Sequence, residues 1–126
     1  MVLDCGGGTV DITVHEVGQN SSLQELYKAS GGAWGGTQVD EAFKQLIIKI
    51  IGNNIYLKFC DDNAADYIDM YREFELKKRE YKGSESGKQI TIKVPVSLKE
   101  TFENETEESI KDALRDSPYS TKMKWA

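Results

Sequence analysis

The residues Asp4-Cys5-Gly6-Gly7-Gly8-Thr9-Val10-Asp11 set three glycines between two carboxylates. Successive residues without a Cβ can adopt positive φ and let another group approach closely, so their N–H groups can form a concave nest for an anion such as phosphate. A carboxylate beside a polyphosphate is tolerable only with a divalent cation or a polarised water between them. The combination therefore reads as a site for a metal-nucleotide. The same residues also suit a tight glycine hairpin in which Asp4 and Asp11 merely border the turn. A second group, Glu75, Lys78 and Arg79, lies at i, i+3 and i+4. On a helix that spacing puts all three on one side, where they can converge on a single ligand. Clustered charges of this kind are also what a solvated helix face looks like.

These residues need elements to position them. Val2 and Leu3 form an apolar stub before the glycines, and Val10, Ile12 and Val14 alternate with Thr9, Asp11, Thr13 and His15 after them, which predicts a strand with one buried face. His15 falls on the polar face and reads as a solvated strand residue. Beyond the polar turn at 18–22, residues 23–30 read as a third strand completing an antiparallel meander. The loop Gly31-Gly32-Ala33-Trp34-Gly35-Gly36 leads to Thr37 and Asp40, spaced as a helix N-cap. Val39, Ala42, Phe43, Leu46, Ile47, Ile50 and Ile51 recur at helical spacing, and Gly52 stands where a C-terminal cap belongs. A glycine loop opening a capped helix is a second element that favours anions.

Residues 53–65 have no clear period and read as a loop or a helix extension. From Asp66 to Lys82 the pattern is helical, with Ile68, Tyr71, Phe74, Leu76 and Tyr81 as its apolar stripe. A turn at 83–87, a strand at 89–94, a short helix from Ser97 to Phe102 and another capped by Asn104 and carrying Ile110, Ala113 and Leu114 follow. Met123 and Trp125 suggest the opening of a further strand, and both ends of the chain read as cut.

With 126 residues, 39% hydrophobic and 29% charged, the chain suits one compact domain or a piece of a larger one. Its net charge of −5 argues against a nucleic-acid-binding surface, and the longest apolar run is far too short to span a bilayer. The ligand's negative charge must be met locally. Cys5 and Cys60 suggest neither a disulfide framework nor a zinc site, and a cytoplasmic location fits.

Asp4-x-Gly6-Gly7-Gly8-Thr9-x-Asp11 resembles the second phosphate-binding loop of the actin, sugar-kinase and seventy-kilodalton heat-shock protein superfamily. That resemblance implies a β-hairpin whose tip, Gly6 to Thr9, wraps the β- and γ-phosphates of ATP, with Asp4 and Asp11 acting through magnesium-bound water and the attacking water. Gly35-Gly36-x-x-x-Asp40 is similar to a Gly-Gly-Glu-x-x-Asp segment of the heat-shock family, where a glycine, here Gly36, approaches the nucleotide; Thr37 stands where that family usually has glutamate. Glu75-x-x-Lys78-Arg79 is similar to the family's adenosine helix. It implies that Glu75 and Lys78 hydrogen-bond the adenosine while the flat guanidinium of Arg79 stacks on the base. The family's serine four residues beyond the lysine is Lys82 here. The stretches Leu26-Tyr27-Lys28-Ala29-Ser30-Gly31-Gly32 and Lys93-Val94-Pro95-Val96-Ser97 look most similar to the divergent type-12 branch, which lacks the usual peptide-binding domain.

The expected fold is α/β, more narrowly an α+β fragment of an actin-like ATPase domain: an antiparallel meander, then helices and a small sheet. Residues 1–35 are expected to be the phosphate-loop hairpin and strand of the second large lobe, and residues 36–126 the small upper lobe. The resemblance implies ATP or ADP and Mg2+ as ligands, the rest of the parent nucleotide-binding domain as a partner, and a docking place for a nucleotide-exchange regulator on the small lobe. The net charge and the short apolar runs leave neither nucleic acid nor membrane as an expected partner. An ATPase parent is implied, with little or no hydrolysis by these residues alone, because the opposite wall of the site is expected outside them. Exposed sheet edges suggest self-association. Two other readings stand beside this one: a sugar-kinase-like phosphotransferase, and a degenerate, non-hydrolysing module that docks a regulator.

Overall fold

The computed structural model describes residues 1–81 and 89–121. The expected turn at 83–87, Lys82, and the strand suggested by Met123 and Trp125 lie outside the described residues. The chain divides into two compact units, Met1–Leu46 and Ile47–Ala126.

The first unit is built on a three-stranded antiparallel sheet in the order β1 (Val2–Cys5), β2 (Val10–Val17), β3 (Leu23–Gly32). This is the expected meander, with β3 running two residues past the predicted end. Alternation sets the faces. Leu3 pairs with Ile12 and Cys5 with Val10, whereas Val2 pairs with Thr13 and Asp4 with Asp11, so one face is mainly apolar and the other carries the carboxylates. The apolar face is not buried as expected, since Val10, Ile12 and Val14 are only half-buried and Leu3 is exposed, no other described element covering it fully. Between β2 and β3 the register shifts near Val14, placing Val14 opposite Tyr27 and His15 opposite Glu25. The polar turn closes through a Gly18 N–H bond to the Ser22 carbonyl at 2.8 Å, with Asn20 in the left-handed region at φ 62°. Helix α1 (Gly36–Ile51) begins in this unit.

Gly52, at φ 87°, ends α1 where the sequence placed its cap, and its N–H bonds the Ile48 carbonyl at 2.8 Å. The second unit then holds α2 (Asn53–Asp62), α3 (Ala64–Glu80), α4 (Val96–Thr106) and α5 (Ile110–Arg115). Its core is formed by Ile47, Ile51, Tyr56, Phe59, Met70, Leu98, Phe102, Ile110 and Leu114. Helix α2 packs against α3 and α4, and α4 against α5.

In the second unit four details differ from the sequence reading. Residues 53–62 form a helix of their own, because Tyr56 and Phe59, three apart, turn one face into the core. Helix α3 is rotated from the expected phase: Met70 is buried and Tyr67, Tyr71 and Phe74 are half-buried, while Ile68 and Leu76 face outward. The Tyr56 and Tyr71 hydroxyls lie 3.1 Å apart, and burial, reinforced by that hydrogen bond, pushes the Tyr56 phenol far up from its ordinary value, so it stays neutral. Residues 89–94 form no strand. A lone strand has no neighbour to receive its ladder bonds, and the Lys93 N–H goes instead to the Glu73 carboxylate at 3.2 Å. Finally, Asn104 lies inside α4, and α5 is capped by Ser109, whose hydroxyl accepts from Asp112 N–H at 3.2 Å.

Candidate functional site

The glycine stretch folds as the tip of the β1–β2 hairpin, closed by a Gly6 N–H bond to the Thr9 carbonyl at 2.8 Å. Its outer side is seated on the start of α1. Gly36 N–H donates to the Gly6 carbonyl at 3.4 Å, Thr37 N–H to Gly7 at 2.8 Å and Gly35 N–H to Gly8 at 3.3 Å. The Thr37 hydroxyl, expected to cap α1, donates to the same Gly7 carbonyl at 2.9 Å. The N–H groups that made this helix start an anion-favouring element are thus directed at loop carbonyls.

No cis peptide is present among the described residues, and a trans peptide points its N–H opposite its C=O. Seating the carbonyls of Gly6, Gly7 and Gly8 on α1 therefore turns the N–H groups of Gly7, Gly8 and Thr9 the other way. Those of Gly7 and Gly8 have no backbone acceptor among the described residues. A side chain added at Gly7 or Gly8 would meet nothing within 4 Å. Exposed donors without a backbone acceptor suit a phosphate oxygen.

Asp4 and Asp11 face each other as direct cross-strand partners, both exposed. Thr9 Oγ1 donates to Asp11 Oδ2 at 3.2 Å, and the carboxylate lies over bare Gly31, where a Cβ would come within 2.8 Å of Oδ1 and 2.4 Å of the Val10 carbonyl. Like charges directly opposite across a strand pair repel. Among the described residues no cluster of three His, Cys, Asp or Glu could hold a metal ion directly. Two opposed carboxylates fit instead a hydrated cation such as Mg2+, which keeps several waters and takes further oxygens from phosphate. Neither Cys5 nor Cys60 is in a disulfide.

The other expected site residues sit together in the second unit, on the last turns of α3. Lys78 Nζ lies 2.5 Å from Glu75 Oε2, and Arg79 Nε and Nη2 each lie 3.0 Å from Oε1. The Lys78 side chain is 19% exposed, with its Nζ 6.0 Å from the centroid of the Phe74 ring; Arg79 is 76% exposed. Lys78 foremost, with Arg79, holds the Glu75 carboxyl below the usual carboxylate range. A carboxyl whose folded value is depressed contributes stability above its unfolded value, and that contribution is lost as pH falls through the folded value. Acid unfolding should therefore show a component below the ordinary carboxyl value of 4.5 that Glu75→Gln removes. Unfolding midpoints of the two proteins compared at about pH 6 and about pH 3 check this, and equal pH dependence would refute it.

The sequence-predicted residues thus form two clusters, Asp4, Gly6, Gly7, Gly8, Thr9, Asp11 and Gly36 in one unit, and Glu75, Lys78 and Arg79 in the other. Sequence reasoning missed the seating role of Gly35 and Thr37. Its only signal was a buried-type glycine beside a hydroxyl residue at a helix start. Among the described residues no helix is long and apolar enough to cross a membrane.

A meander with an aspartate-flanked glycine tip, followed by helices, is an α+β architecture consistent with part of an actin-like ATPase domain. All of the chain aligns with heat shock 70 kDa protein 12B of Homo sapiens, at 38% identity over 127 positions. It is 35% identical over the same length to heat shock 70 kDa protein 12A of Homo sapiens and of Mus musculus. Throughout its length the chain is homologous to a part of type-12 seventy-kilodalton heat-shock proteins, in agreement with its motifs. It spans 18% of the length of these relatives. No protein-family model matches the chain, and no solved structure matches it.

Proposed function

We propose that the chain is part of the magnesium-ATP-binding domain of a heat-shock-like ATPase and carries phosphate contacts in its first unit and adenosine contacts in its second, with residues 1–35 belonging to the second large lobe and 36–126 to the small upper lobe. The N–H groups of Gly7, Gly8 and Thr9 meet the β- and γ-phosphates, Asp4 and Asp11 hold metal-bound and attacking water, and Gly36 lies beside the nucleotide. Glu75 and Lys78 bind the adenosine and Arg79 stacks on its base. A bound Mg2+ would neutralise the phosphates and the two carboxylates together. The reading is carried by the direct opposition of Asp4 and Asp11 beside an exposed loop in which the N–H groups of Gly7 and Gly8 have no backbone acceptor among the described residues. Similarity to heat shock 70 kDa proteins 12A and 12B supports it over a sugar-kinase-like one.

The mutual pairing of Glu75 with Lys78 and Arg79 gives the adenosine cluster a preorganised resting state, from which those side chains exchange one another for the ligand. Hydrolysis needs water, metal and phosphate positioned together, so these residues alone should turn over little or no ATP. A cytoplasmic chaperone-type parent, a nucleotide-exchange regulator on the small lobe, and pairing between chains through the edges of β1 and β3 belong to the same proposal.

Calorimetric titration of the chain with ATP and ADP, with and without Mg2+, tests it. Binding should depend on Mg2+, Asp11→Ala should remove that dependence, and Lys78→Ala should weaken both nucleotides about tenfold, as loss of a charge-assisted hydrogen bond does. Absence of nucleotide binding under every condition would favour the regulator-docking module instead.

A further inference from the structure

We propose that Thr37 is a positioning residue that presets the glycine loop for phosphate. It is the one residue whose backbone and side chain both grip the loop in the described structure: its N–H lies 2.8 Å and its hydroxyl 2.9 Å from the Gly7 carbonyl. The peptide joining Gly7 to Gly8 is planar and trans, so holding its oxygen against α1 fixes the Gly8 N–H on the opposite, open side. Neither glycine carries a side chain that could set this orientation, and their Cβ positions face empty space. Without an outside grip the Gly7–Gly8 peptide is free to flip, which would present an oxygen instead of an N–H to an anion. The neighbouring bonds from Gly36 and Gly35 are longer, at 3.4 and 3.3 Å, so the twofold grip of Thr37 is the tightest point of the seat.

The grip also responds to the ligand. An anion accepted by the Gly8 N–H polarises the same peptide and makes its oxygen a better acceptor, so phosphate on one side and Thr37 on the other strengthen each other. A hydroxyl at position 37 does this, and a carboxylate there could not donate to the Gly7 carbonyl when ionised. The inference rests on the proposed nucleotide site, and its test separates the two.

Binding of Mg-ATP is measured by calorimetry for the unaltered chain, Thr37→Val and Thr37→Ser, alongside unfolding midpoints and amide exchange at residue 37. The valine keeps the N–H and the volume but loses the hydroxyl. Thr37→Val should bind about fivefold to tenfold more weakly, Thr37→Ser within about twofold of the unaltered chain, and the Thr37 amide should slow its exchange when Mg-ATP is added. Midpoints should agree among the three, since Thr37 is exposed. Equal Mg-ATP affinity of the valine variant and the unaltered chain overturns the positioning role while leaving the nucleotide site intact. Weakening that serine does not rescue, or that follows a fallen midpoint, places the effect in folding and likewise overturns it. Failure of the unaltered chain to bind Mg-ATP overturns both.

Discussion

Gly35→Ala is expected to unseat the glycine loop from α1 and, with it, to abolish phosphate binding. Gly35 is buried, and a Cβ built on it would lie 2.3 Å from the Gly7 carbonyl oxygen, 2.5 Å from the Gly7 carbonyl carbon and 2.6 Å from that of Gly8. All three are backbone atoms, so no side-chain rotation can relieve the overlap. The loop must lift, and the bonds from Gly35 to Gly8 and from Thr37 to Gly7 must lengthen or break. Forcing a methyl into such a contact costs about 1–3 kcal/mol, and the backbone character of the partners puts this case near the upper end. Chemical unfolding should show that loss, and Mg-ATP titration should show no binding. Gly7→Ala is the control, since its Cβ would meet nothing within 4 Å; it should retain stability to within about 0.5 kcal/mol. A Gly35→Ala protein as stable as the original would mean that the loop is not seated as described.

The second large effect concerns the helical unit. Phe59 is fully buried, at 0% exposure, among helices α2, α3 and α4, whose other inward residues are Tyr56, Met70, Leu98 and Phe102. Deleting its ring removes transfer free energy and leaves a cavity that the surrounding helices can only partly fill, so Phe59→Ala should lower stability by about 3–5 kcal/mol. That is a large share of what a domain of this size possesses. Leu57, two residues earlier and 52% exposed, provides the contrast: Leu57→Ala should change stability by no more than about 0.5 kcal/mol. Urea unfolding followed by far-UV dichroism measures both. Near-equal losses would place α2 outside the core. Helix α3, which carries Glu75, Lys78 and Arg79, packs on α2, so the loosened core should also weaken any adenosine binding.

Much of this molecule follows from local chemistry. Alternation of Val10, Ile12 and Val14 specified β2, the glycine run specified the tip, and Gly52 specified the end of α1 because only a residue tolerant of positive φ stops a helix in that way. The motif residues could be named and their chemistry argued, since carboxylates, glycines and an i, i+3, i+4 charge cluster have the same capabilities wherever they are placed. Short segments were less legible. Residues 53–62 lack a strong period because only Tyr56 and Phe59 are needed inside, and α3 offers apolar residues on more than one side, so packing against α2 chose Met70 over Ile68 and Leu76. Residues 89–94 alternate like a strand, yet a strand requires a partner's hydrogen bonds, which composition does not supply.

What the sequence by itself determined, then, was an aspartate-flanked glycine hairpin, a meander, a glycine-led helix and a charged helix with the family's spacing. Tertiary structure alone decided that Asp4 stands opposite Asp11, that Gly35 is the bare surface on which the loop rests, and that Thr37, inside α1, grips the Gly7 carbonyl instead of capping its helix. The physical reason is range. Propensity and periodicity act between neighbours along the chain, whereas a contact between residues thirty apart depends on how the intervening strands and turns bring them together.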